Sequence, residues 1–340
     1  MDFSSPHHLR WQRMPVEFET PPALDDTLVL DLPNPKRAVF SPLGFPLEVA
    51  TNSDAVVAAA RHLWGNFPPE HEETPLSLTL SVTEHDGERP PKRPKFRAHM
   101  HLMSIVVDSR NHVICDLSRG CAFGWVTTAV EKQPEFLRLR FLEPSVMSIL
   151  VATHLAAVHA ALVTRNGVGV ALCGNSFAGK STLAYACARS GWTFVCDDGM
   201  FLSRKRTDRY AIGNPYSIRF RKDAKQLFPE LVDCVVAVRP NGALGLEVPT
   251  ARLPIETASG STIDHLVFLN RSASGRARMN RRPASEALSW LESVKLYGSA
   301  EVQADQRRAY RRLLDAGLWE LHYSHLDEAV ELLDRLGESK

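Results

Sequence analysis

An α/β fold with a central sheet, preceded by a smaller α+β domain, is what this sequence predicts, and three observations predict it. First, Gly174-Asn-Ser-Phe-Ala-Gly-Lys-Ser-Thr182 fits the pattern G-x-x-x-x-G-K-[ST] and lies between an apolar strand-like run, Val168–Cys173, and a helix-like run, Thr182–Arg189. Second, Thr193–Cys196 reads as another short core strand and ends in two adjacent acids, Asp197 and Asp198. Third, short alternating runs separated by turn residues before about position 140 read as largely antiparallel strands. The expected boundary therefore sets an N-terminal α+β domain at 1–140 against a P-loop domain at 141–340.

The elements follow in order. The stretch to Pro35 is Pro-rich, with one candidate strand at Thr27–Leu32. Ser53–Gly65 predicts a helix: Ser53 or Asn52 is the N-cap, Val56, Val57, Ala60 and Leu63 share a face, and Gly65 ends it. Leu76–Val82 alternates apolar and hydroxyl residues as a half-buried strand does. Asp86–Lys95 is a charged, Pro-rich loop, followed by strands at Met103–Val107, Val113–Leu117 and Ala122–Thr127. Pro144 suits a first helical turn, and Ser145–Ala157 continues the helix. Leu162-Val163 and a turn at Arg165-Asn-Gly167 lead into the strand before the Gly-rich loop, and Gly191 sits where the next helix should be capped. Beyond Asp198, Ser203–Tyr210 reads as a charged turn, Ser217–Arg221 as an alternating strand, Lys222–Leu227 as a short helix and Asp264–Asn270 as a core strand. The tail reads as helical at Ala284–Val294, Gln303–Ala316 and Leu326–Leu336.

Bulk composition excludes several classes. The 340 residues carry a formal net charge of +1, which gives no strong field toward nucleic acid or an anionic membrane. The Arg-rich stretch from Arg271 to Arg282 reads as a solvated loop and does not change that. No apolar run reaches the roughly 18 residues of a membrane span, and Met1–Arg13 lacks a signal-peptide core. The six cysteines form no C-x-x-C pair. Cys173, Cys187 and Cys234 sit in apolar runs, so the expectation is buried reduced thiols in a cytoplasmic protein.

The Gly-rich loop carries the chemistry. Gly174 and Gly179 let successive backbone N–H groups turn inward on an anion, so Gly174, Asn175, Ser176, Phe177, Ala178 and Gly179 are read as wrapping nucleotide phosphates together with Lys180, Ser181 and Thr182. Lys180 supplies a point charge, Ser181 a hydroxyl for Mg²⁺, and the following helix the positive end of its dipole. Mg²⁺–nucleotide chemistry also needs a carboxylate at a neighbouring strand end, where Asp197-Asp198 lies. Side by side, one can take a proton and the other hold metal.

His159 precedes Gly174 by 15 residues, and Asp197 follows Lys180 by 17. A histidine, a Gly-Val-Gly strand, the phosphate loop, a helix and a strand ending in two aspartates, all in register over His159–Asp198, resemble the catalytic domain of the HPr kinase/phosphorylase family. The resemblance implies an HPr-kinase-like P-loop domain and an ATP- and Mg²⁺-dependent phosphotransferase acting on a hydroxyl. By position it implies Asp197 as the base, His159 beside it tuning its protonation, Lys180 on the β- and γ-phosphates, and Ser181 with Asp198 at Mg²⁺. The family's Glu-Val-Arg-Gly-Leu-Gly segment has no counterpart here, and Glu247 lies much further along. In its place stands Gly213-Asn-Pro-Tyr-Ser-Ile-Arg-Phe-Arg221, whose Arg219 and Arg221 share a strand face suited to transition-state charge or substrate binding; Arg219 is counted with the catalytic set.

The leading expectation is thus a kinase whose acceptor is a serine of a protein or peptide, or a small molecule. A nucleotide-binding switch or ATPase, or an inactive regulatory relative, stands as the alternative. Intact Lys180, Ser181 and Asp197 argue for activity. Homo-oligomeric assembly is common in the resembling family and is left open.

Overall fold

A computed structural model describes residues 33–85, 93–238, 244–293, 296 and 298–338. The candidate strand at Thr27–Leu32 and most of the Asp86–Lys95 loop lie outside them. Among the described residues the architecture is mixed α/β with three sheets.

The first sheet has seven strands: β1 (Lys36–Phe40), β2 (Leu47–Thr51), β3 (Leu76–Thr83), β4 (Lys95–His99), β5 (Leu102–Val106), β6 (His112–Asp116) and β7 (Cys121–Thr127), in the order β1-β2-β3-β7-β6-β5-β4. The β2–β3 and β3–β7 pairs are parallel and the rest antiparallel. Helix α1 (Asp54–Trp64) forms where the caps predict it. The Ser53 hydroxyl accepts the Val56 N–H at 3.2 Å, and Gly65 ends the helix. Its buried face is Val56, Ala59, Ala60 and Trp64, so Val57 and Leu63 are only half-buried. Two short helices, α2 (Thr128–Glu131) and α3 (Pro134–Leu137), and a π-helical turn (Arg138–Leu142) lead into α4 (Glu143–Thr153).

Helix α4 ends four residues before the sequence suggested. His154 leaves helical geometry, and Leu155–Val158 becomes strand β8. An all-apolar Leu-Ala-Ala-Val run has no periodicity to choose helix from strand; pairing with a distant strand decides it.

The second sheet has ten strands and holds the Gly-rich loop. Strands β9 (Ala160–Arg165) and β10 (Val168–Cys173) form a hairpin closed by Asn166 and Gly167, both at positive φ (52° and 77°), as a type I′ turn requires. Helix α5 (Lys180–Arg189) follows β10, Gly191 (φ 88°) caps it, and β11 (Thr193–Cys196) returns antiparallel beside β9. Strands β12 (Met200–Ser203) and β13 (Tyr210–Gly213) extend the sheet to β8. A small third sheet takes β14 (Ser217–Arg221), β15 (Ala237–Val238) and β16 (Leu244–Pro249) in the order β14-β16-β15. Strand β17 (Glu256–Thr257) sits on the edge beside β11, and β18 (Gly260–Arg271) runs parallel to β10. Strand β19 (Arg278–Arg281) continues the second sheet. After helices α6 (Ala284–Glu292) and α7 (Ala300–Arg312), β20 (Gly317–Tyr323) joins β18 in parallel, and α8 (Leu326–Gly337) follows it.

Every residue of β10 is buried because both faces of the sheet are covered. Val170 and Leu172 pack with α5, α8 and the third sheet, while Ala171 and Cys173 pack with α6 and α7. That sandwich fixes the C-terminal ends of β10 and β11, where the loop and the two aspartates emerge. Cys115, Cys173, Cys187 and Cys196 are buried and Cys121 and Cys234 half-buried, all unpaired. Residues 34–340 form one compact unit.

Candidate functional site

The loop from Gly174 to Gly179 leaves β10 and turns into α5 through backbone that favours glycine: φ is 95° at Gly179, and a Cβ there would meet the Tyr323 hydroxyl at 2.4 Å. Tyr323 donates to the Ala178 carbonyl at 3.0 Å, so β20 braces the loop from behind. Asn175, Ser176 and Phe177 are exposed, and Phe177 itself holds φ 76°, rare for a non-glycine residue.

Lys180, buried at the start of α5, sends its ammonium back across the loop. Nζ donates to the Gly174 carbonyl at 2.9 Å and lies 3.4 Å from that of Asn175 and 2.9 Å from His159 Nε2. With Lys180 donating to Nε2, the remaining ring proton is on His159 Nδ1, which is 3.1 Å from both the backbone oxygen and Oδ1 of Asp198. Burial pulls the Lys180 ammonium below its ordinary value, against the opposing pull of Asp198, Cys173 and Asp197.

The two aspartates are unequal. Asp197 is 8% exposed, whereas the Asp198 side chain is 59% exposed. Burial, then the neighbouring Asp198, push the Asp197 carboxyl up to about 6. The Arg219 N–H (donating to Oδ2 at 2.9 Å), the Arg219 charge and a hydrogen bond with the Ser181 hydroxyl pull the other way. So Asp197 meets the first turn of α5 through Ser181 and meets β14 through Arg219. His159 sits between Lys180 and Asp198, one carboxylate over from the position the sequence suggested for it.

The Arg219 guanidinium is committed elsewhere. It pairs with both Glu143 oxygens at 3.0 and 2.9 Å and lies 3.4 Å from Glu247, whose other oxygen accepts from Arg138 at 3.0 Å. Burial alone would lower the Arg219 pKa; Glu143, Glu247 and Asp197 outweigh it and hold the charge firmly. Glu143 and Arg138 were invisible as site residues in the sequence. Glu143 precedes the helix-opening Pro144, and nothing local links either residue to Arg219, 76 and 81 positions on. Beside this cluster opens a pocket of about 260 Å³ lined by Arg140, Glu143, Asp198, Arg219, Leu246 and Glu247 among others.

The arrangement brings Lys180, His159, Asp198, Asp197, Ser181 and the Arg219 N–H together at one end of the sheet. Among the described residues no group of three or more His, Cys, Asp or Glu side chains could hold a metal by itself. The oxygen donors near the loop that a cation could meet are the Ser181 hydroxyl, which is hydrogen-bonded to Asp197, and the accessible Asp198 carboxylate beside His159; so few protein donors could serve only an ion that keeps water and phosphate oxygens as its other ligands.

No family model matches the chain. The search of curated proteins gives no match either. Among solved structures, the HPr(Ser) kinase/phosphatase from Coxiella burnetii is similar at 14% identity and a TM-score of 0.28, over 54% of this chain and 99% of that one. A likeness that loose carries no weight, so the function has to be read from the site's own residues. No helix among the described residues is long and apolar enough to cross a membrane.

Proposed function

We propose that the chain is an ATP- and Mg²⁺-dependent kinase that transfers the γ-phosphate to a hydroxyl. One observation carries the reading: a buried carboxylate with a raised pKa, Asp197, is tied by Ser181 to the helix that begins at the end of a G-x-x-x-x-G-K-S loop. A carboxylate tuned to about 6 is ionised at neutral pH yet basic enough to accept a hydroxyl proton in the transition state.

The loop N–H groups and Lys180 bind the β- and γ-phosphates, Lys180 exchanging its bond to the Gly174 carbonyl for phosphate oxygens. His159 holds the geometry between Lys180 and Asp198. Ser181 and Asp198 would hold Mg²⁺, which when bound neutralises phosphate charge and orients the transferring group. The Arg219 backbone N–H fixes the Asp197 carboxylate, and its side chain anchors β14 to α4 through Glu143. The acceptor enters by the pocket beside Asp198; at about 260 Å³ it admits a small molecule or a single side chain with its flanking backbone.

The test is transfer of label from γ-labelled ATP with Mg²⁺ into lysate proteins and into a pooled metabolite extract, with Asp197→Asn and Lys180→Ala alongside. A labelled product abolished by both substitutions supports the reading, and its size identifies the acceptor class. Tight ATP binding with no labelled product points to a switch or ATPase instead.

A further inference from the structure

Two arginines share one face of β14, and the structure treats them differently. Arg219 is saturated by Glu143 and Glu247. Arg221 is 54% exposed, and its nearest carboxylate among the described residues, Asp223, is 3.9 Å away and itself 61% exposed. Its guanidinium carbon lies 4.4 Å from the ring centroid of Phe177. Phe177 is in the phosphate loop, 73% exposed and at φ 76°, so the loop presents a strained aromatic side chain outward and an arginine rests on it. A cation–π contact at an exposed site is weak, whereas an arginine on a phosphate makes charge-assisted paired hydrogen bonds. Arg221 is therefore kept beside the loop without being held fast.

We propose that Arg221, rather than the side chain of Arg219, is the catalytic cation that closes on the γ-phosphoryl group during transfer, and that Phe177 positions it by giving it a resting place at the loop. The inference rests on the kinase reading. In the step it serves, the acceptor oxygen forms a bond to the γ-phosphorus and the bond from that phosphorus to the β–γ bridging oxygen breaks. The electron pair leaves with ADP, and the acceptor proton passes to Asp197. Negative charge moving onto the bridging and peripheral oxygens is what a guanidinium stabilises.

The experiment uses the full chain with Mg²⁺ and fluorescent mant-ADP, titrated with and without aluminium fluoride, which mimics the phosphoryl group in flight. The variants are Arg221→Met, Arg221→Lys and Phe177→Ala. Wild type is expected to bind mant-ADP more tightly when fluoride is added. Arg221→Met should keep the mant-ADP Kd within about threefold and lose about a hundredfold of that tightening, with Arg221→Lys between. Phe177→Ala changes the phosphate loop itself, so it is read by the ratio of the two affinities: whatever it does to mant-ADP alone, most of the tightening should persist, because Arg221 is still free to close. If Arg221 merely braced the loop through Phe177, both substitutions would weaken mant-ADP itself by similar factors, and that result overturns the inference. So does an Arg221→Met protein with full tightening, or a wild type that binds mant-ADP and never tightens. A wild type that binds no Mg²⁺–mant-ADP sinks the kinase reading and this inference with it.

Discussion

Replacing Glu247 by Ala tests whether the cluster under the pocket is held together by charge. Arg138 is the residue at risk. Its side chain is 6% exposed, its Nη1 is already buried without a partner, and Nη2 donates to Glu247 at 3.0 Å. Arg219 keeps its paired contact with Glu143 when Glu247 goes, so most of the cost falls on Arg138. Stripping one partner from a buried ion pair costs about 3–5 kcal/mol, because the remaining charge stays desolvated. Glu247 is 24% exposed, which places the expectation at the lower end, about 3 kcal/mol. Unfolding entropy of about 2.1 cal/mol/K per residue, over a unit of about 300 residues, converts that to a fall in Tm of about 5 °C.

Burial pushes the Glu247 pKa up, but the Arg138 hydrogen bond and the Arg219 and Arg138 charges outweigh it, so the carboxyl lies below its ordinary 4.5. A depressed acid contributes stability above its unfolded pKa and loses it as pH falls through the folded one. The deficit of Glu247→Ala should therefore be constant from about pH 6 to 8 and shrink below about pH 4.5. Urea unfolding of Glu247→Ala, Arg138→Met and the double variant reads all of this. The double variant should lose about 1–3 kcal/mol less than the sum of the singles. A Glu247→Ala protein within about 1 kcal/mol of wild type at unchanged m, or strict additivity, would refute the reasoning.

Three further outcomes are expected. His71 and His154 stack on the two faces of Phe45 with centroids at 3.9 and 4.8 Å. Burial lowers both pKa values against Glu73 and, at His71, Glu70, with help from Arg206 at His71 and from Lys205 and Arg204 at His154. The unfolded chain then binds more protons than the folded one just below pH 6.5, so stability should fall as pH drops through that range; His71→Leu should flatten the slope, and equal slopes in thermal melts from pH 7.5 to 5.5 would count against it. Gly179→Ala puts a Cβ at φ 95° and 2.4 Å from the Tyr323 hydroxyl, so nucleotide affinity should drop at least tenfold; Tyr323→Phe in the same chain should recover part of the loss in a mant-ATP titration. Asp197→Asn should leave the nucleotide Kd within about threefold and cut phosphoryl transfer by roughly 10²–10⁴, and an active Asp197→Asn enzyme would remove Asp197 as the base.

What was legible in the sequence was local. Ser53 capping α1, the Asn166-Gly167 turn, Gly191 after α5 and the glycines of the loop each carry their own conformational reason, and the elements around them form close to the bounds they suggest. The illegible elements depend on distant partners. Strands β8, β12 and β13 are short segments that become strands only by pairing with one another and with β18, and β20 lay unread between two helices of a tail taken as helical. The same holds for the site. His159, Lys180 and the aspartates announce themselves by spacing, but Glu143 meets Arg219 only because α4 is laid beside the third sheet, a contact spanning 76 positions.

The pair Asp197-Asp198 shows how the fold makes two identical residues into different reagents. From sequence, the adjacency of the two acids was the reason to divide proton acceptance and metal holding between them. In the structure burial is the first cause of the raised Asp197 pKa, and Asp198 is the second. The chain bends at Asp197-Asp198 just past β11, and the bend turns one carboxylate under Ser181 and the β14 backbone and the other out toward His159 and solvent. The buried one is poorly solvated when ionised and becomes the better proton acceptor; the exposed one stays accessible to a cation. The β11–β9 register Thr193↔Thr164 and Phe194↔Val163 shifts by one residue before Cys196↔Leu162, so an irregularity in β11 lies between Phe194, locked in the core, and the two aspartates and helps set how they emerge.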